Sequence, residues 1–399
     1  MKILVLNCGS SSIKYKLFEM ETGAELAQGG IEKIGLKGSS LKLTLPSGQK
    51  VILEGEILEH KTGIEYILGV ITSEKYGCIK SLSEIDAVGH RVVHGGVAFN
   101  SSVRITDEVI KKIEECAELA PLHNPPNLNG IYAINELIPN VPQVAVFDTA
   151  FHQTMPSHAY MYGIPYSLYE KYGIRRYGFH GTSHRYVSSR VCDFLGVKYE
   201  DQKIITVHIG GGGSITAIKN GKSIDTSMGM TPVEGLLMGT RSGDIDAGVI
   251  SYIMEEENIG TQAISTIVNK YSGVLGISGV SSDMREINEA IQKGDERAML
   301  AFDVYTYRIK KYIGAYAAAL GGLDILVFTG GVGENQFPIR RKVCENMEYL
   351  GIQLDEKKND GLRAVEAVIS VPDSKVKVVV IPTDEEYMIA SDTLSVLKQ

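Results

Sequence analysis

Three glycine-rich stretches of this chain could bind phosphate groups through the backbone, because each follows a short apolar run. The stretches are Asn7-Cys8-Gly9-Ser10-Ser11-Ser12, with Lys14 just beyond it, then GGGGS at 210–214 and GGVGEN at 330–335. Glycine lets backbone N–H groups approach an anion with no side chain in the way. The sequence contains no GxxxxGK[ST] loop, which excludes a Walker-type site. Together the three turns favour a nucleotide held between two domains.

Arg91 and Arg241 are candidates for holding a carboxylate or a phosphate. Arg91 lies in HRVVHGG, at the end of a predicted strand, and Arg241 lies in GTRSG. A guanidinium offers paired N–H donors that match planar anions. The alternative is a solvated surface arginine, but the apolar neighbours of Arg91 and the small neighbours of Arg241 favour a binding role.

Two carboxylates follow predicted strands and could contact a metal ion or a substrate. Asp148 ends the run QVAVFD, and Glu385 follows VVVIPTD. A carboxylate at the end of a strand is well placed for this purpose. The alternative is a turn or cap residue, and for Glu385 it is an acidic residue in the first turn of a helix.

Two of the nine histidines lie in settings that suit an active site. His180 precedes a predicted helix, where an anion is favoured, and we assign the helix cap to Thr182 or Ser183. His123 lies in the rigid loop PLHNPP. The sequence contains no HExxH motif, which argues against a zinc site of that type. A lone histidine is more often structural than catalytic, so both assignments remain hypotheses.

The strands that must position these residues follow a repeated pattern. Residues 2–14 (KILVLNCGSSSIK) resemble residues 203–215 (KIITVHIGGGGSI), and each stretch predicts a strand, a small-residue turn and a second strand. Each half has a later strand that runs into glycines, at 86–96 and 324–335. Short strands separated by helical patterns predict α/β domains. We interpret the chain as one such domain used twice, although similar units also recur by chance.

The remaining pattern predicts helices over 107–119, 295–320 and 385–397 and a hairpin over 41–56, around Pro46-Ser47-Gly48. At roughly 150 residues per domain, 399 residues predict two domains. We place the boundary near residue 150, after the strand at 144–147. The domains are then 1–150 and 151–384, with the terminal helix 385–399 joining the first.

Composition excludes several classes of protein. The apolar share of 44% and the charged share of 22% are those of a globular protein. A net charge of −8 argues against a general nucleic-acid binder. No apolar run approaches the roughly 20 residues that cross a membrane. The five cysteines are scattered without metal or disulfide spacing, so we expect a reducing, cytoplasmic location.

Two segments resemble the signatures of the acetokinase family, which belongs with the sugar kinases, Hsp70-type chaperones and actin. They are VLNCGSSSIK at 5–14 and GFHGTSHRYV at 178–187, and the second is very specific. The resemblance runs from residue 2 to about 395. Cys8 is a small departure, since alanine is commoner there. The family implies a duplicated α/β fold, ribonuclease H-like, with the active site in the cleft between the two domains.

The resemblance also implies a role for each matching residue. The catalytic set is Asp148, His180, Arg241 and Arg91. The acid-binding set is Arg91, Val93, Leu122, His123, Phe179 and Pro232, and of these Val93, Leu122, Phe179 and Pro232 surround the acetate methyl group. The nucleotide-binding set is Lys14, Ser12, His208, Ile209, Gly210, Gly211, Gly212, Asp283, Met284, Arg285, Gly331, Val332, Gly333, Glu334 and Asn335. The magnesium ligands are Asn7 and Glu385.

The activity implied is reversible transfer of the γ-phosphoryl group of ATP to acetate, giving acetyl phosphate and ADP. The implied cofactor is Mg²⁺, for which Mn²⁺ could substitute. The implied partners are a second copy of the chain, in a homodimer, and metabolic coupling to phosphate acetyltransferase, with no nucleic acid and no membrane.

Two other functions stay open from the sequence. A propionate or butyrate kinase would need a larger pocket, and valine at position 93 favours acetate. One methylene is worth only about 1–3 kcal/mol in such a pocket, so some propionate activity is expected. A non-catalytic nucleotide sensor on the same fold is the other alternative. A sensor has no need of an acid pocket, so the combination of Arg91, Arg241, His180 and Asp148 argues against it.

Overall fold

The structure is a computed structural model that describes residues 1–45, 48–121 and 123–399. Leu122, predicted to bind the acid, and Pro46 and Ser47 of the predicted hairpin turn lie outside the described residues. The chain forms two compact units. The first unit comprises Met1–Phe151 and Asp384–Gln399, and the second comprises His152–Thr383.

The strands of the first unit are β1 (Lys2–Cys8), β2 (Ser12–Glu19), β3 (Ala24–Glu32), β4 (Ser40–Thr44), β5 (Lys50–Glu54), β6 (Ala87–Val92), β7 (Val103–Arg104) and β8 (Gln143–Phe147). The strands of the second unit are β9 (Lys203–Ile209), β10 (Gly213–Lys219), β11 (Lys222–Thr226), β12 (Ile325–Thr329), β13 (Ala367–Val368) and β14 (Lys377–Val380).

The α-helices are α1 (His60–Ile71), α2 (Asp107–Glu115), α3 (Asn124–Leu137), α4 (Ser157–Tyr160), α5 (Tyr166–Tyr172), α6 (Gly181–Leu195), α7 (Ala247–Glu256), α8 (Thr261–Thr266), α9 (Gly273–Ser278), α10 (Met284–Gln292), α11 (Glu296–Leu320), α12 (Gly330–Asn335), α13 (Phe337–Cys344), α14 (Glu356–Asn359) and α15 (Glu385–Leu397). Short 3₁₀ turns cover Leu82–Glu84, Cys116–Glu118, Ala150–Thr154, Tyr199–Asp201 and Glu348–Leu350, and a π-turn covers Ile267–Tyr271.

The two sheets confirm the predicted duplication. Within the described residues, the first sheet has the strand order β5-β4-β3-β2-β1-β6-β8-β7 and the second has β11-β10-β9-β12-β14-β13. In both sheets the central strand (β1 or β9) pairs antiparallel with the strand that follows it and parallel with a later strand (β6 or β12). The six neighbouring strands β3-β2-β1-β6-β8-β7 therefore match β11-β10-β9-β12-β14-β13 in order and direction. Strands β4 and β5 are an addition to the first sheet.

Helices cover both faces of the first sheet, because side chains alternate between the faces along a strand. Leu4 and Leu6 belong to a core with α1 and α3, whereas Ile3 and Val5 belong to a core with α15. The approach of α15 to β6 requires Gly89, since a Cβ atom there would lie 2.5 Å from Thr393 Oγ1. This contact ties the last helix to the strand that carries Arg91.

The second sheet is covered in a similar way, but one of its interfaces is polar. Ile205 and Val207 of β9 pack in a large apolar core with α11 and α13. Thr206 and His208, which alternate with these residues along β9, face α6. Thr206 hydrogen-bonds His184, and His208 hydrogen-bonds Ser183. The polar face of β9 therefore leads directly to the start of α6, just after His180.

Most of the predicted elements are confirmed, with two corrections. The hairpin is β4 paired with β5, and the helices over 295–320 and 385–397 are α11 and α15. The helix predicted over 107–119 ends at Glu115 and continues as a 3₁₀ turn. Residues 330–335 form the short helix α12 rather than an open turn. Among the described residues, no helix is both long and apolar enough to cross a membrane.

Candidate active site

In the first unit, the ends of three neighbouring strands bring Arg91, Asp148 and Asn7 together. Arg91 Nη2 donates to Asp148 Oδ2 at 2.6 Å, and Arg91 Nε lies 3.1 Å from the same oxygen and 3.3 Å from Oδ1. Arg91 Nη1 donates to Asn7 Oδ1 at 3.1 Å. The Asp148 side chain is 1% exposed and that of Arg91 is 22% exposed. The guanidinium is thus held rigidly while part of it remains accessible.

Neighbouring carboxylates stabilise the charged form of Arg91. Burial alone would lower the pKa of this guanidinium, but Asp148 and Glu385 together raise it above the ordinary value. A bidentate arginine–carboxylate pair of this kind fixes the direction of the remaining N–H donors. Arg91 is therefore a cation with a defined orientation.

Glu385 is the first residue of α15 and lies in the same electrostatic environment. Asp384 caps the helix by accepting from Tyr387 N at 3.1 Å, so the acidic first turn that the sequence offered as an alternative is present. Burial raises the pKa of Glu385 to about 7, with Asp148 and Glu386 adding to the rise and Arg91 and Lys14 opposing it. A concentration of negative charge around Glu385 would favour a cation.

These side chains fit Mg²⁺. The first unit offers oxygen donors from Asn7 and Glu385, beside Asp148. No group of three His, Cys, Asp or Glu side chains that could hold a metal ion occurs among the described residues. Mg²⁺ does not need such a cage, since it usually binds one or two carboxylates, water and substrate phosphates.

Val93 follows Arg91 by two residues, and the start of α3 holds its backbone and contains His123. Asn127 Oδ1 accepts from Val93 N at 3.0 Å, and Asn127 Nδ2 donates to Cys8 O at 2.7 Å. His123 is the N-cap of α3 and is half-buried. The side chain of Val93 is 5% exposed, so its position is fixed by packing as well as by the Asn127 bond.

In the second unit, His180 stands at the start of α6 in a left-handed conformation (φ 56°). The prediction that Thr182 or Ser183 caps this helix is wrong, because His180 itself is the N-cap residue. His180 Nδ1 is 2.9 Å from Ser214 Oγ, which is 2.7 Å from His184 Nε2. The other side of His184 is 2.7 Å from Thr206 Oγ1. A chain of hydrogen bonds thus sets the orientation of His180.

His208 stacks on His180, with ring centroids 4.3 Å apart. Ser183, which does not cap the helix, has its hydroxyl 2.8 Å from His208 Nδ1 and 2.7 Å from Thr383 Oγ1. Phe179 is buried, and its carbonyl oxygen lies 2.9 Å from His152 Nε2. The residues on both sides of the start of α6 are therefore closely constrained.

Arg241 differs from Arg91 in its partners. A Cβ atom on Gly212 would lie 3.2 Å from Arg241 Nη1 and 3.8 Å from His180 Cε1, so Arg241 and His180 flank the glycine loop between β9 and β10. Arg241 is half-buried, and burial lowers the pKa of its guanidinium. Within the described residues, no carboxylate forms an ion pair with Arg241. This cation is available to a bound anion.

A pocket of about 590 Å³ in the second unit brings together most of the predicted nucleotide-binding residues. Predicted residues in its lining are Gly210, Gly211, Asp283, Met284, Arg285, Gly331, Val332 and Asn335. Three lining residues were not predicted, namely Ser282, Gln336 and Arg363. Ser282 and Gln336 adjoin predicted segments, but Arg363 lies in a loop whose sequence carries no recognisable signal.

Several predicted nucleotide-binding residues lie outside that pocket. Ile209 has no exposed surface and packs in the apolar core, and Gly333 is buried. Glu334 Oε1 accepts from Gly330 N at 2.8 Å and from Thr383 N at 3.0 Å, so its carboxylate shapes the loop. Gly330 has a φ of 78°, and a Cβ atom there would lie 2.7 Å from Ile209 O.

The remaining predicted residues are distributed between the two units. Ser12 and Lys14 line a groove of the first sheet together with Lys42 and Lys50. Pro232 is half-buried in the segment of the second unit that also carries Arg241.

The two units therefore carry different functional groups on a duplicated α/β sheet. The first unit supplies an oriented cation and oxygen donors for a metal ion, and the second supplies a glycine-lined pocket, a histidine and an unpaired arginine. These are the parts of a kinase whose nucleotide is bound by backbone loops.

Comparison with known proteins identifies the family. The sequence pattern of the acetokinase family matches residues 2–391. An acetate kinase of Azobacteroides pseudotrichonymphae is 75% identical over 397 residues, which is 100% of each chain. The crystal structure of Porphyromonas gingivalis acetate kinase is 64% identical over 99% of each chain, with a TM-score of 0.96. A propionate kinase from Francisella tularensis is 43% identical over 99% of each chain, with a TM-score of 0.92. The chain belongs to the acetokinase family.

Proposed function

We propose that the protein catalyses reversible transfer of the γ-phosphoryl group of ATP to acetate, giving acetyl phosphate and ADP. It is an enzyme, an ATP:acetate phosphotransferase, because full-length relatives named acetate kinase are 64–75% identical to it. The site assignment rests on the guanidinium of Arg91, which Asp148 and Asn7 orient. Val93, two residues further along the chain, is buried.

The chemistry requires such a set. A carboxylate is already ionised at neutral pH, so the acid needs little help from a general base. The obstacle is repulsion between the acid and the triphosphate, which positioned cations and hydrogen-bond donors reduce. We assign Arg91 to the acid and the transferred phosphoryl group, Arg241 to the phosphoryl group, and His180 to a donor role in the transition state.

Asp148 acts on this proposal by positioning Arg91 rather than by moving a proton. Its carboxylate is buried and already accepts two N–H groups of the Arg91 guanidinium. Asn7 and Glu385 would hold Mg²⁺, or Mn²⁺ in its place, through their side-chain oxygens. The bound ion would neutralise part of the charge on the β- and γ-phosphates.

We assign acetate as the acid because full-length relatives named acetate kinase are 64–75% identical to the chain and valine at position 93 favours a small acid. A propionate kinase is the second candidate, since a protein of that name is 43% identical to this chain. Because one methylene changes binding by only about 1–3 kcal/mol, propionate should be a slower substrate rather than an inert one.

The test is hydroxamate-coupled detection of acyl phosphate, with the purified protein, Mg-ATP and acetate, propionate or butyrate. We expect an acetate-dependent signal that exceeds the propionate signal in kcat/KM and is lost in Arg91→Ala. A higher kcat/KM for propionate would contradict the choice of acid. ATP hydrolysis that is independent of any added acid would instead favour a nucleotide sensor.

We also propose that the protein is a cytoplasmic homodimer whose product is exchanged with phosphate acetyltransferase. The support is family membership, together with the scattered cysteines expected of a reducing compartment. Light scattering on the purified protein would test the dimer, and a mass of one chain, 43.5 kDa, would contradict it.

A further inference from the structure

Two segments of the second unit carry the groups that we assign to the acid and the phosphoryl group. One segment contains Phe179 and His180, and the other contains Pro232 and Arg241. They are joined by their backbones, since Tyr177 N and Gly178 N both donate to Gly229 O at 3.1 Å. Neither segment is a regular strand or helix at this point, so something must fix their separation.

The guanidinium of Arg176 makes the densest set of contacts between the two segments. Its Nη1 donates to the carbonyl oxygens of three consecutive residues at the end of β11, namely Thr226 (2.8 Å), Ser227 (3.0 Å) and Met228 (3.3 Å). Its Nη2 donates to Glu234 Oε1 at 2.6 Å. The Arg176 side chain is 17% exposed, and that of Glu234 is 29% exposed. One side chain thus spans both ends of the turn that carries Pro232.

Glu234 also connects the turn to Tyr162. Its second oxygen, Oε2, accepts a short hydrogen bond from Tyr162 OH, and that hydroxyl accepts from Met230 N at 2.9 Å. The turn from 228 to 234 is therefore held at both ends and at Met230. A displacement of Glu234 would move Pro232, which lies two residues away.

We propose that Arg176 is a positioning residue for acid recognition, which sets the distance between the Phe179–His180 segment and the segment that carries Pro232 and Arg241. This proposal rests on the function proposed above for those four residues. Arg176 does not itself touch the substrates. Its planar fork binds carbonyls on one branch and a carboxylate on the other, which a lysine ammonium cannot reproduce.

The test compares Arg176→Lys with Arg190→Lys. Arg190 is a matched control because it forms a similar fork in the same unit, to Glu366 at 2.6 and 2.7 Å, and touches neither segment. KM for acetate, KM for ATP, kcat with acetate and with propionate, and the melting temperature are measured for both variants. In Arg176→Lys we expect KM for acetate to rise about tenfold and the acetate-to-propionate ratio of kcat/KM to change severalfold. KM for ATP should stay within about twofold, and Arg190→Lys should change none of these kinetic values.

The proposal is overturned if Arg176→Lys lowers kcat for both acids equally while KM for acetate and the acid ratio stay at wild-type values. It is also overturned if Arg190→Lys produces the same kinetic changes. Should Arg176→Lys fail to fold, Glu234→Gln decides, because it keeps an acceptor for Arg176 but removes the charge. Glu234→Gln should alter the acid ratio in the same direction. Wild-type protein that makes no acyl phosphate would instead overturn the proposed function.

Discussion

The strand ends of the two units carry different chemistry on the same scaffold. Aligning the parallel strands by their registers makes Arg91 of β6 equivalent to Thr329 of β12. The same alignment makes Asp148, after β8, equivalent to Thr383, after β14. In the first unit these positions form a buried ion pair. In the second unit both equivalent positions are threonines. Thr329 Oγ1 and Thr383 N both donate to Glu334 Oε1, at 3.4 Å and 3.0 Å.

The turns between the first two strands of each sheet differ in a related way. The turn after β1 retains serine hydroxyls, whereas the turn after β9 is glycine at 210–212 and opens to the nucleotide pocket. Duplication has thus supplied one scaffold twice, with an ion pair at the strand ends of the first unit and a glycine backbone loop beside the pocket of the second. This division suits a reaction in which one substrate is a small anion and a metal ion must be held, while the other is a large polyphosphate.

The largest effect should come from breaking the ion pair of the first unit. Arg91→Ala should lower kcat/KM for acetate by roughly 10³-fold or more, because an arginine of this type is worth about 10³–10⁵ in rate. Asp148→Ala alone should also lower kcat/KM strongly. If Asp148 works by orienting Arg91, adding Asp148→Ala to Arg91→Ala should lower kcat/KM little further. The measurement is a double-mutant cycle of kcat/KM with acetate.

Independent, multiplicative losses in that cycle would contradict the positioning role and favour a direct role for Asp148. Circular dichroism of each variant serves as the control, since removing one partner of a buried pair also destabilises the fold.

The sequence alone predicted the parts of this comparison that depend on local pattern. The repeated strand–turn–strand of 2–14 and 203–215 predicted the duplicated sheets, because alternation and glycine turns are local properties. The positions of Arg91, Asp148 and Glu385 at strand or helix ends were predicted for the same reason. The pairing of Asp148 with Arg91 joins residues that are 57 positions apart along the chain, which local pattern does not show.

Other features could not be predicted because they depend on packing between distant segments. Arg176 adjoins the specific GFHGTSH signature, yet nothing in its neighbours shows that it would meet the carbonyls after β11. Arg363 enters the nucleotide pocket from a loop without a motif. The cap of α6 was predicted wrongly because Thr182 and Ser183 are good capping types, whereas the chain enters the helix through His180 in a left-handed conformation.

A smaller effect is expected from breaking the hydrogen-bond chain that orients His180. This chain has no counterpart at the charged strand ends of the first unit. Ser214→Ala removes the hydroxyl between His180 and His184, so kcat should fall roughly tenfold through loss of orientation. KM for ATP should change little. Ser188→Ala is the control, because Ser188 lies on α6 and its hydroxyl bonds Tyr199 instead, at 2.7 Å. Equal losses in the two variants would show that the histidine chain has no special role.

Glu334 tests whether the strand ends of the second unit serve the nucleotide. In Glu334→Ala the bonds to Gly330 N and Thr383 N are lost, so the short helix α12 should be less ordered and KM for ATP should rise about tenfold. KM for acetate should stay near the wild-type value. Asp355→Ala removes the cap of α14, which accepts from Lys357 N and Lys358 N at 3.2 Å, so it controls for a general loss of about 1 kcal/mol. A rise in KM for ATP in both variants would contradict the specific role.

The smallest effect concerns His90, which the same alignment makes equivalent to Phe328. His90 is buried against the uncharged Gln143, with 2.7 Å between His90 Nε2 and Gln143 Oε1, and burial lowers its pKa to about 4. An unfolded histidine has a pKa near 6.5, so the unfolded chain binds more protons between pH 6.5 and 4. The free energy of unfolding should therefore fall as the pH falls through 6.5, by about 1.4 kcal/mol at pH 5.5 from this residue. Urea unfolding at pH 7.5 and 5.5 should show a smaller pH dependence in His90→Asn than in wild type. An unchanged pH dependence in His90→Asn would mean that this histidine is protonated as readily in the folded protein as in the unfolded chain. Burying a histidine at the position equivalent to Phe328 would then have no electrostatic cost.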